Sequence, residues 1–187
     1  MSVGEQMSLA DVKNRLSEVV ERLEREHGRV VITKHGHPAA VVISVEDLES
    51  LEETLDVMGS EALLSDIREA LAELASAEAP VLSKDRSAAP DPRPVSEPGY
   101  AIAWTASARR ALARLPEKVA VAVVEFLYGS LAASPHRVGK PLKLGLEGLY
   151  SARRGDYRVI YRIDDDHRRV DVVAIEHRSD IYRPRQL

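Results

Sequence analysis

The chain of 187 residues contains no cysteine, which excludes a disulfide framework and any thiolate metal site and is compatible with a reducing compartment. A long apolar run is also missing. The most apolar window, residues 119–128, is interrupted by Glu125 and is much shorter than the roughly 20 residues that cross a bilayer. The N-terminus has no apolar segment after a basic start, so we expect no signal peptide. The expectation is a soluble, cytoplasmic protein with no membrane partner.

The motifs of three kinds of site are absent as well. The sequence has neither a glycine-rich phosphate loop nor the G-x-S-x-G elbow of serine hydrolases. His35 and His37 flank a turn glycine, and Asp-Asp-Asp-His at residues 164–167 has the pattern of a loop. Neither arrangement supplies the three or four converging ligands that bind zinc or calcium tightly. We therefore predict no metal site and no cofactor.

Charge is distributed unevenly along the chain. Residues 1–87 contain 9 Lys and Arg against 18 Asp and Glu, whereas residues 88–187 contain 17 against 12. The first half is therefore acidic and the second half is basic. Such a chain has either two different partners or two halves that bind each other.

Two helices are predicted in the N-terminal region. Ser8 and Asp11 form a capping box ahead of apolar residues at helical spacing, and Gly28 ends this helix. Ser44 caps a second amphipathic helix, which Gly59 ends.

A β-hairpin is predicted between these helices. Residues 29–34 and 37–43 are β-branched or apolar runs on either side of a tight turn at His35 and Gly36. A domain of this size buries little apolar surface, so we expect it to form a homodimer.

A third amphipathic helix is predicted over residues 60–77, with acidic residues on its polar side. Its apolar stripe has no place in the small N-terminal domain and needs a groove elsewhere. The stripe consists of Leu63, Leu64, Ile67, Leu71 and Leu74. Five prolines between residues 80 and 98 then indicate a linker.

The basic half has the pattern of a second domain. We predict a strand at residues 100–104, two helices separated at Pro116, and three strands at residues 149–154, 157–163 and 169–177. The result is a small α+β layer with helices on one face of the sheet and the other face open.

Arginines are concentrated on the predicted strands of this domain. Alternation along residues 157–163 places Arg158 and Arg162 on one face, and Arg153 and Arg154 lie just across a two-residue turn. Converging guanidinium groups suit phosphodiester binding, because each offers a planar and permanently charged fork. The alternative is a solvated face with surface ion pairs to the neighbouring aspartates.

His177 ends the last predicted strand, and Arg178 and Tyr182 follow directly after it. Cleavage of RNA by its own 2′-hydroxyl needs a proton acceptor, a proton donor and cations around the phosphate, and these residues supply those groups. The alternative is that a histidine or tyrosine at a strand end has a structural role.

The acidic N-terminal region also contains basic positions that could contact DNA phosphates from one face of a dimer. They are Lys13, Arg15, Arg29, Lys34 and His35. The alternative is that they are solubilising charges.

Two motifs resemble known families. Residues 7–55, and above all Lys-His-Gly-His-Pro-Ala-Ala-Val-Val-Ile at residues 34–43, resemble the Phd/YefM family of antitoxins. Residues 100–183 are similar to RelE-type toxins. The similarity rests on Gly-Leu-Tyr-Ser-Ala-Arg-Arg-Gly-Asp-Tyr-Arg-Val-Ile-Tyr at residues 148–161 and on His-Arg-Ser-Asp-Ile-Tyr at residues 177–182. Such partners are ordinarily separate chains, so this chain is a natural fusion or an engineered tether.

The resemblance implies a helix-hairpin-helix-helix antitoxin that dimerises, binds operator DNA and represses its operon. It also implies a toxin that cuts mRNA on the ribosome without a metal. Four segments follow: an antitoxin domain at residues 1–58, a toxin-neutralising segment at 59–79, a linker at 80–99 and a toxin domain at 100–187.

The resemblance also assigns roles to residues of the toxin domain. Arg158 matches the phosphate-contacting arginine of the family and Tyr182 its C-terminal tyrosine, while Arg178 lies in the basic region where some members have a histidine, as at His177. Some members carry paired lysines on the first sheet strand, where this chain has Tyr150, Ser151 and Arg153 and leaves the general base unassigned. The lysines occur earlier, at Lys140 and Lys143, and with Arg153, Arg154 and Arg162 they are candidates for RNA binding.

Docking of the acidic third helix on the basic domain would give the apolar stripe of the helix a groove and would neutralise charge on the basic domain. The intact chain would then be a latent enzyme whose antitoxin contact is intramolecular or swapped between copies. Two alternatives are a gyrase poison of the ParE kind and a DNA-binding repressor with an inactive toxin half.

Overall fold

The computed structural model describes residues 5–76 and 99–177. The chain forms two compact units, residues 1–52 and 53–187, and the division falls within helix α3 (Val45–Met58). The four predicted segments divide the chain by role rather than by compactness, and they stay a prediction. Apart from Gly99, the predicted linker lies outside the described residues.

The first unit is a three-stranded sheet with two short helices. Its elements before α3 are β1 (Glu5–Ser8), α1 (Leu9–Asn14), α2 (Leu16–Glu26), β2 (Arg29–Lys34) and β3 (His37–Ile43). β2 lies between the other two strands, parallel to β1 and antiparallel to β3. A small core of Val12, Val19, Leu23 and Val30 joins the helices to the sheet.

The first predicted helix begins at its capping box. The Asp11 amide donates to Ser8 Oγ at 3.1 Å, and the Ser8 hydroxyl donates to the Asp11 carboxylate at 2.5 Å. The helix is not continuous, because the backbone of Arg15 (φ −125°, ψ 26°) separates α1 from α2. The sequence pattern does not predict β1 either, since this polar segment is extended only through its parallel pairing with β2.

The hairpin forms as predicted. His35 and Gly36 make the turn with positive φ angles of 52° and 81°. β3 is an edge strand of the sheet, and Val41 on it is 56% exposed. An exposed apolar edge suits pairing with a second copy, although the homodimer stays a prediction.

The helices that follow the hairpin also begin and end as predicted. The Asp47 amide donates to Ser44 Oγ at 3.1 Å at the start of α3, which ends just before Gly59. α4 (Glu61–Ala75) then begins after Ser60, whose hydroxyl caps it.

The second unit contains α4 and the basic half of the chain. Its further elements are β4 (Ala101–Trp104), α5 (Ala106–Arg114), α6 (Glu117–Phe126) with a π-helical continuation (Leu127–Leu131), α7 (Pro135–Val138), β5 (Lys140–Pro141), β6 (Leu149–Arg154), β7 (Tyr157–Asp164) and β8 (Arg169–His177). The strands form one sheet in the order β4-β8-β7-β6-β5. β4 is parallel to β8, and the other neighbours are antiparallel. The predicted α+β fold is confirmed, with α7 and β5 as short elements where the sequence predicts none.

Helices cover both faces of this sheet. α5 and α6 pack on one face in a core that includes Val159 and Tyr161. The other face has a second apolar core, which consists of Val57 from α3, Leu63, Ile67 and Ala70 from α4, and Leu142, Leu149, Ile160, Val173 and Ala174 from the basic half.

The predicted stripe on α4 therefore packs on the sheet. Leu63 and Ile67 are 3% and 1% exposed, and each contributes about 1.5–3 kcal/mol through burial. Leu64, Leu71 and Leu74 pack at the edge of the same core. The face that the pattern of the basic half leaves open is thus occupied by a helix of the acidic half.

Candidate active site

Arg158 is the central residue of the candidate site. It is the second residue of β7, and strand alternation directs it away from the core that contains Val159 and Tyr161. Its side chain is only 8% exposed. A guanidinium buried to this extent needs anionic partners.

Three carboxylates surround the Arg158 guanidinium. Glu53 Oε1 lies 2.9 Å from Nε, Glu176 Oε2 lies 3.1 Å from Nη1, and Asp56 Oδ2 lies 3.3 Å from Nη2. Glu176 is on β8, directly opposite Arg158 in the strand register. Glu53 and Asp56 come from the last turns of α3. The basic half thus supplies one partner and the acidic half supplies two.

Arg153 lies opposite Arg158 on β6 and shares the two carboxylates of α3. Its Nε is 2.7 Å from Glu53 Oε2, and its Nη2 donates to Asp56. The buried Ser151 donates its hydroxyl to Glu53 Oε1 at 2.5 Å. Glu53 therefore pairs with two guanidinium groups and accepts a hydrogen bond from a hydroxyl, with its own side chain 10% exposed.

These contacts shift the pKa values of two groups. The hydrogen bond from Arg153 lowers the pKa of Asp56 below its ordinary value of 3.8, against the smaller and opposite effect of burial. Burial lowers the pKa of Arg153, but the hydrogen bond to Asp56 and the charge of Glu53 outweigh it and raise the pKa. Both groups stay charged at neutral pH. The arrangement presents two guanidinium forks to carboxylate oxygens, and the same forks can bind a phosphodiester.

A cavity of about 410 Å³ lies beside the two arginines. Its lining includes Leu55, Asp56 and Ser60 from the helices, Asp156 from the β6–β7 turn, and Tyr157, Arg158 and Glu176 from the sheet. This volume is in the range of ligand-binding pockets. The site therefore has an open cavity next to the carboxylates that pair with its arginines.

The predicted convergence of all four strand arginines is wrong. Arg153, Arg158 and Arg162 share the face covered by α4, but Arg162 pairs with the buried Asp171 at 2.8 Å. Arg154 lies on the opposite face, with its guanidinium carbon 5.2 Å from the centre of the Phe126 ring. Consecutive residues of a strand must face opposite sides, and only Arg153 and Arg158 come together.

The two lysines with a predicted RNA-binding role lie further along the sheet. Lys140 is on β5, opposite Ser151 in the register, and is half-buried. Lys143 is also half-buried, and its amide donates to Thr54 Oγ1 at 2.9 Å. Their contact with RNA stays a prediction.

His177 is the last residue of β8 and lies opposite Tyr157, next to the pair formed by Arg158 and Glu176. Alternation therefore directs the half-buried His177 to the face of Tyr157, opposite the face that holds Arg158 and Glu176, and its catalytic role stays a prediction. Arg178 and Tyr182 lie outside the described residues.

The five predicted DNA-contacting positions of the first unit are all exposed. They are Lys13, Arg15, Arg29, Lys34 and His35. Arg29 and Lys34 begin and end β2, which separates them by roughly 17 Å. Arg15 pairs with Glu18 at 2.9 Å. One copy therefore presents at least two separate basic positions, and DNA binding stays a prediction.

The sequence pattern misses the acidic side of the site. Glu53 and Asp56 are three residues apart and hence on one face of α3, which is the only local signal. The same helix also contains Glu46, Glu49 and Glu52. Tertiary packing decides which of these carboxylates meets the arginines.

Within residues 5–76 and 99–177, no group of three or more His, Asp or Glu side chains lies close enough together to hold a metal ion. No helix in that part of the chain has both the length and the apolar character needed to cross a membrane.

Two families of known proteins match separate parts of the chain. The family described as "Antitoxin Phd_YefM, type II toxin-antitoxin system" matches residues 5–77. The family described as "ParE toxin of type II toxin-antitoxin system, parDE" matches residues 102–182. The matches therefore cover the acidic and the basic half in turn.

Individual relatives match the same two parts. Toxin RelE of Mycobacterium tuberculosis is 61% identical over 84 residues, which are 45% of this chain and 87% of the relative. Antitoxin RelB of the same organism is 53% identical over 68 residues, which are 36% of this chain and 76% of the relative. The crystal structure of the toxin-antitoxin complex RelBE2 from M. tuberculosis is 50% identical, with a TM-score of 0.42, and the match covers 43% of this chain and 99% of that chain.

Proposed function

The chain belongs to the type II toxin-antitoxin proteins, with a Phd/YefM antitoxin domain followed by a RelE-type toxin domain, and we propose that the toxin half is an endoribonuclease that cuts mRNA on the ribosome and so stops translation. The antitoxin half keeps this enzyme latent in the intact chain.

The main support for this proposal is that both arginines of the site are paired with carboxylates. Arg153 and Arg158 are the two guanidinium groups that converge, and carboxylates of the antitoxin half fill the positions that phosphate oxygens would take. A phosphodiester and these carboxylates compete for the same donors. The site is thus built to bind an anion and is closed by residues of the same chain.

The proposed chemistry needs no group beyond this chain's side chains. Arg158 stabilises the charge that develops on the phosphate as the 2′-hydroxyl attacks it. His177, the last residue of β8, and Tyr182 supply the imidazole and phenol that move protons to and from the 2′- and 5′-oxygens, and Arg178 supplies a further fixed cation. The RNA strand continues across Lys140, Lys143 and Arg153.

Latency rests on two kinds of contact. Leu63 and Ile67 bury their side chains against the toxin sheet, while Glu53 and Asp56 cover its arginines. The linker raises the effective concentration of the antitoxin segment to roughly millimolar, so that it rebinds quickly after opening. The same segment of a second copy could make these contacts in a swapped assembly.

The antitoxin domain has a second proposed role. A homodimer formed through this domain would present two copies of the exposed basic positions to operator DNA, and binding there would repress transcription. Cytoplasmic localisation follows from these partners.

The test is to express residues 100–187 alone and to map mRNA ends by primer extension. We expect new mRNA ends from this fragment, and none from the same fragment with Arg158→Gln. The intact chain should cut ribosome-bound mRNA far more slowly than the fragment. If both cut equally fast, latency is wrong.

A gyrase poison is the second candidate, because the family matched by residues 102–182 is described as a ParE toxin. Such a toxin would not use His177 and Tyr182 as catalysts. The fragment would then produce breaks in chromosomal DNA and leave mRNA intact, which distinguishes the two candidates.

A further inference from the structure

A side-chain carboxylate of α4 also contacts the start of α5 on the toxin domain. The Ala106 amide, in the first turn of this helix, donates to Glu73 Oε2 of α4 at 2.7 Å. Thr105, which caps α5, is fully buried and uses its hydroxyl to bond Val172 O at 3.0 Å. The helix begins at a fixed place on the sheet, and one of its unpaired amides is directed at a carboxylate.

The same helix supplies a cation to a second carboxylate. Arg110 lies one turn after Ala106, and its Nη2 is 2.5 Å from Glu69 Oε1. Glu69 and Glu73 are four residues apart on α4, so they share one face of that helix. Two successive turns of α4 thus place two carboxylates on two successive turns of α5.

The first turn of α5 also contains a buried hydroxyl. Ser107 is 1% exposed, and its hydroxyl has no hydrogen-bond partner within the part of the chain that the structure describes. A buried hydroxyl without a partner is uncommon. The start of α5 therefore has an amide, a guanidinium and a spare hydroxyl within two turns.

We propose that the first two turns of α5 form a second phosphate-binding subsite for the RNA backbone, and that Glu69 and Glu73 close it in the intact chain. This inference rests on the proposed function and extends it to a substrate-binding site. The amide at the positive end of α5 and the Arg110 guanidinium bind phosphate oxygens once the Glu69 and Glu73 carboxylates no longer occupy them.

The start of α5 is connected to the candidate active site through β8. Thr105 is anchored at Val172 of β8, and Glu176 on the same strand pairs with Arg158. Four strand residues separate Val172 from Glu176, or roughly 13 Å. Carboxylates of the acidic half therefore cover two points along β8, Arg158 at one and the start of α5 at the other.

The experiment uses the full chain and a 2′-O-methyl hexaribonucleotide, which the proposed chemistry cannot cleave. Binding is followed by fluorescence anisotropy. Glu69→Ala with Glu73→Ala opens the subsite and leaves Glu53 and Asp56 in place. We expect about tenfold tighter binding than in the parent chain, and loss of that gain when Arg110→Ala is added.

The matched control is Glu61→Ala with Asp66→Ala. These residues are on the same helix, and they make no hydrogen bond or ion pair to α5 within the described residues. The control removes the same charge and should leave affinity within about twofold of the parent. An equal gain in affinity in the control, or a gain that survives Arg110→Ala, would show that the gain comes from the overall charge of the chain, and it would overturn the proposal. If the double alanine chain does not fold, Glu73→Gln removes the charge at one contact and should give part of the gain.

Failure of this inference can be distinguished from failure of the proposed function. With Glu53→Gln and Asp56→Asn, the arginines of the active site are exposed and cleavage of ribosome-bound mRNA is measured directly. Cleavage there, with no binding gain from Glu69→Ala and Glu73→Ala, means that Glu69 and Glu73 only tie α4 to α5. A binding gain dependent on Arg110 without any cleavage means that the phosphate subsite exists and the nuclease does not.

Discussion

Replacing Glu53 by glutamine should both destabilise the chain and activate it. Glu53 forms ion pairs with the Arg158 and Arg153 Nε atoms, at 2.9 and 2.7 Å, and accepts a hydrogen bond from the Ser151 hydroxyl at 2.5 Å. Removing one member of a buried ion pair costs about 3–5 kcal/mol. Because Asp56 and Glu176 remain beside Arg158, we expect a loss at the lower end, about 3 kcal/mol in the free energy of unfolding.

The same loss applies to closure of the active site. Every 1.4 kcal/mol is a factor of ten, so a change of about 3 kcal/mol shifts the closed-to-open equilibrium by roughly 150-fold. Leu63 and Ile67 still hold α4 on the sheet. The activity of the Glu53→Gln chain should therefore rise by at most this factor, and it should remain below that of residues 100–187 alone.

Two measurements check this prediction. Urea unfolding gives the change in stability, and cleavage of ribosome-bound mRNA by the purified full chain gives the change in activity. Glu52→Gln is the matched control, because this exposed neighbour makes no hydrogen bond or ion pair within the described residues. If the Glu53→Gln chain unfolded at the same urea concentration as the Glu52→Gln chain and was equally inactive, the carboxylate would not be what closes the site.

Three further predictions concern packing and pH. Ile67→Ala leaves a cavity in the second core and should lower the free energy of unfolding, measured with urea, by about 2–5 kcal/mol. Cells that express the full chain with this substitution should stop growing. Unchanged growth would mean that α4 is not needed for latency. Gly139→Ala should destabilise the fold by at least about 1 kcal/mol, because the added Cβ would lie 2.3 Å from the Tyr161 hydroxyl oxygen, and a melting temperature equal to that of the parent would contradict it. The pKa of Asp56 is lowered by Arg153, so its contribution is complete above about pH 4 and is lost as pH falls through the lowered pKa. The stability difference between the parent and Asp56→Asn should therefore be constant near neutral pH, about 0.5 kcal/mol after solvent screening at this exposed residue, and should shrink below pH 4 in a series of urea titrations.

Local patterns were sufficient for most elements and for the arginine at the centre of the site. The helix starts at Ser8, Ser44 and Ser60 and the strands of the basic half were predictable, because capping and alternation depend on residues close in sequence. The same alternation places Arg158 on the face opposite Tyr161. The resemblance of residues 148–161 to RelE-type toxins could be recognised from the same stretch.

Long-range pairing could not be predicted from these patterns. β1 is extended only because β2 lies beside it, and β5 only because β6 does. Arg154 was expected among the converging arginines and instead lies over Phe126, because strand alternation outweighs proximity along the chain.

The sequence by itself determined that an acidic amphipathic half is joined to a basic half whose strands carry arginines, since composition and periodicity are local properties. Only the tertiary structure decided which carboxylates meet which arginines. Glu53 and Arg153 are separated by about a hundred residues of chain, and they meet because α4 packs its apolar stripe on the toxin sheet and brings the end of α3 over β6 and β7. No property of Glu53 alone distinguishes it from Glu52, because the difference is the side of the helix that faces the sheet.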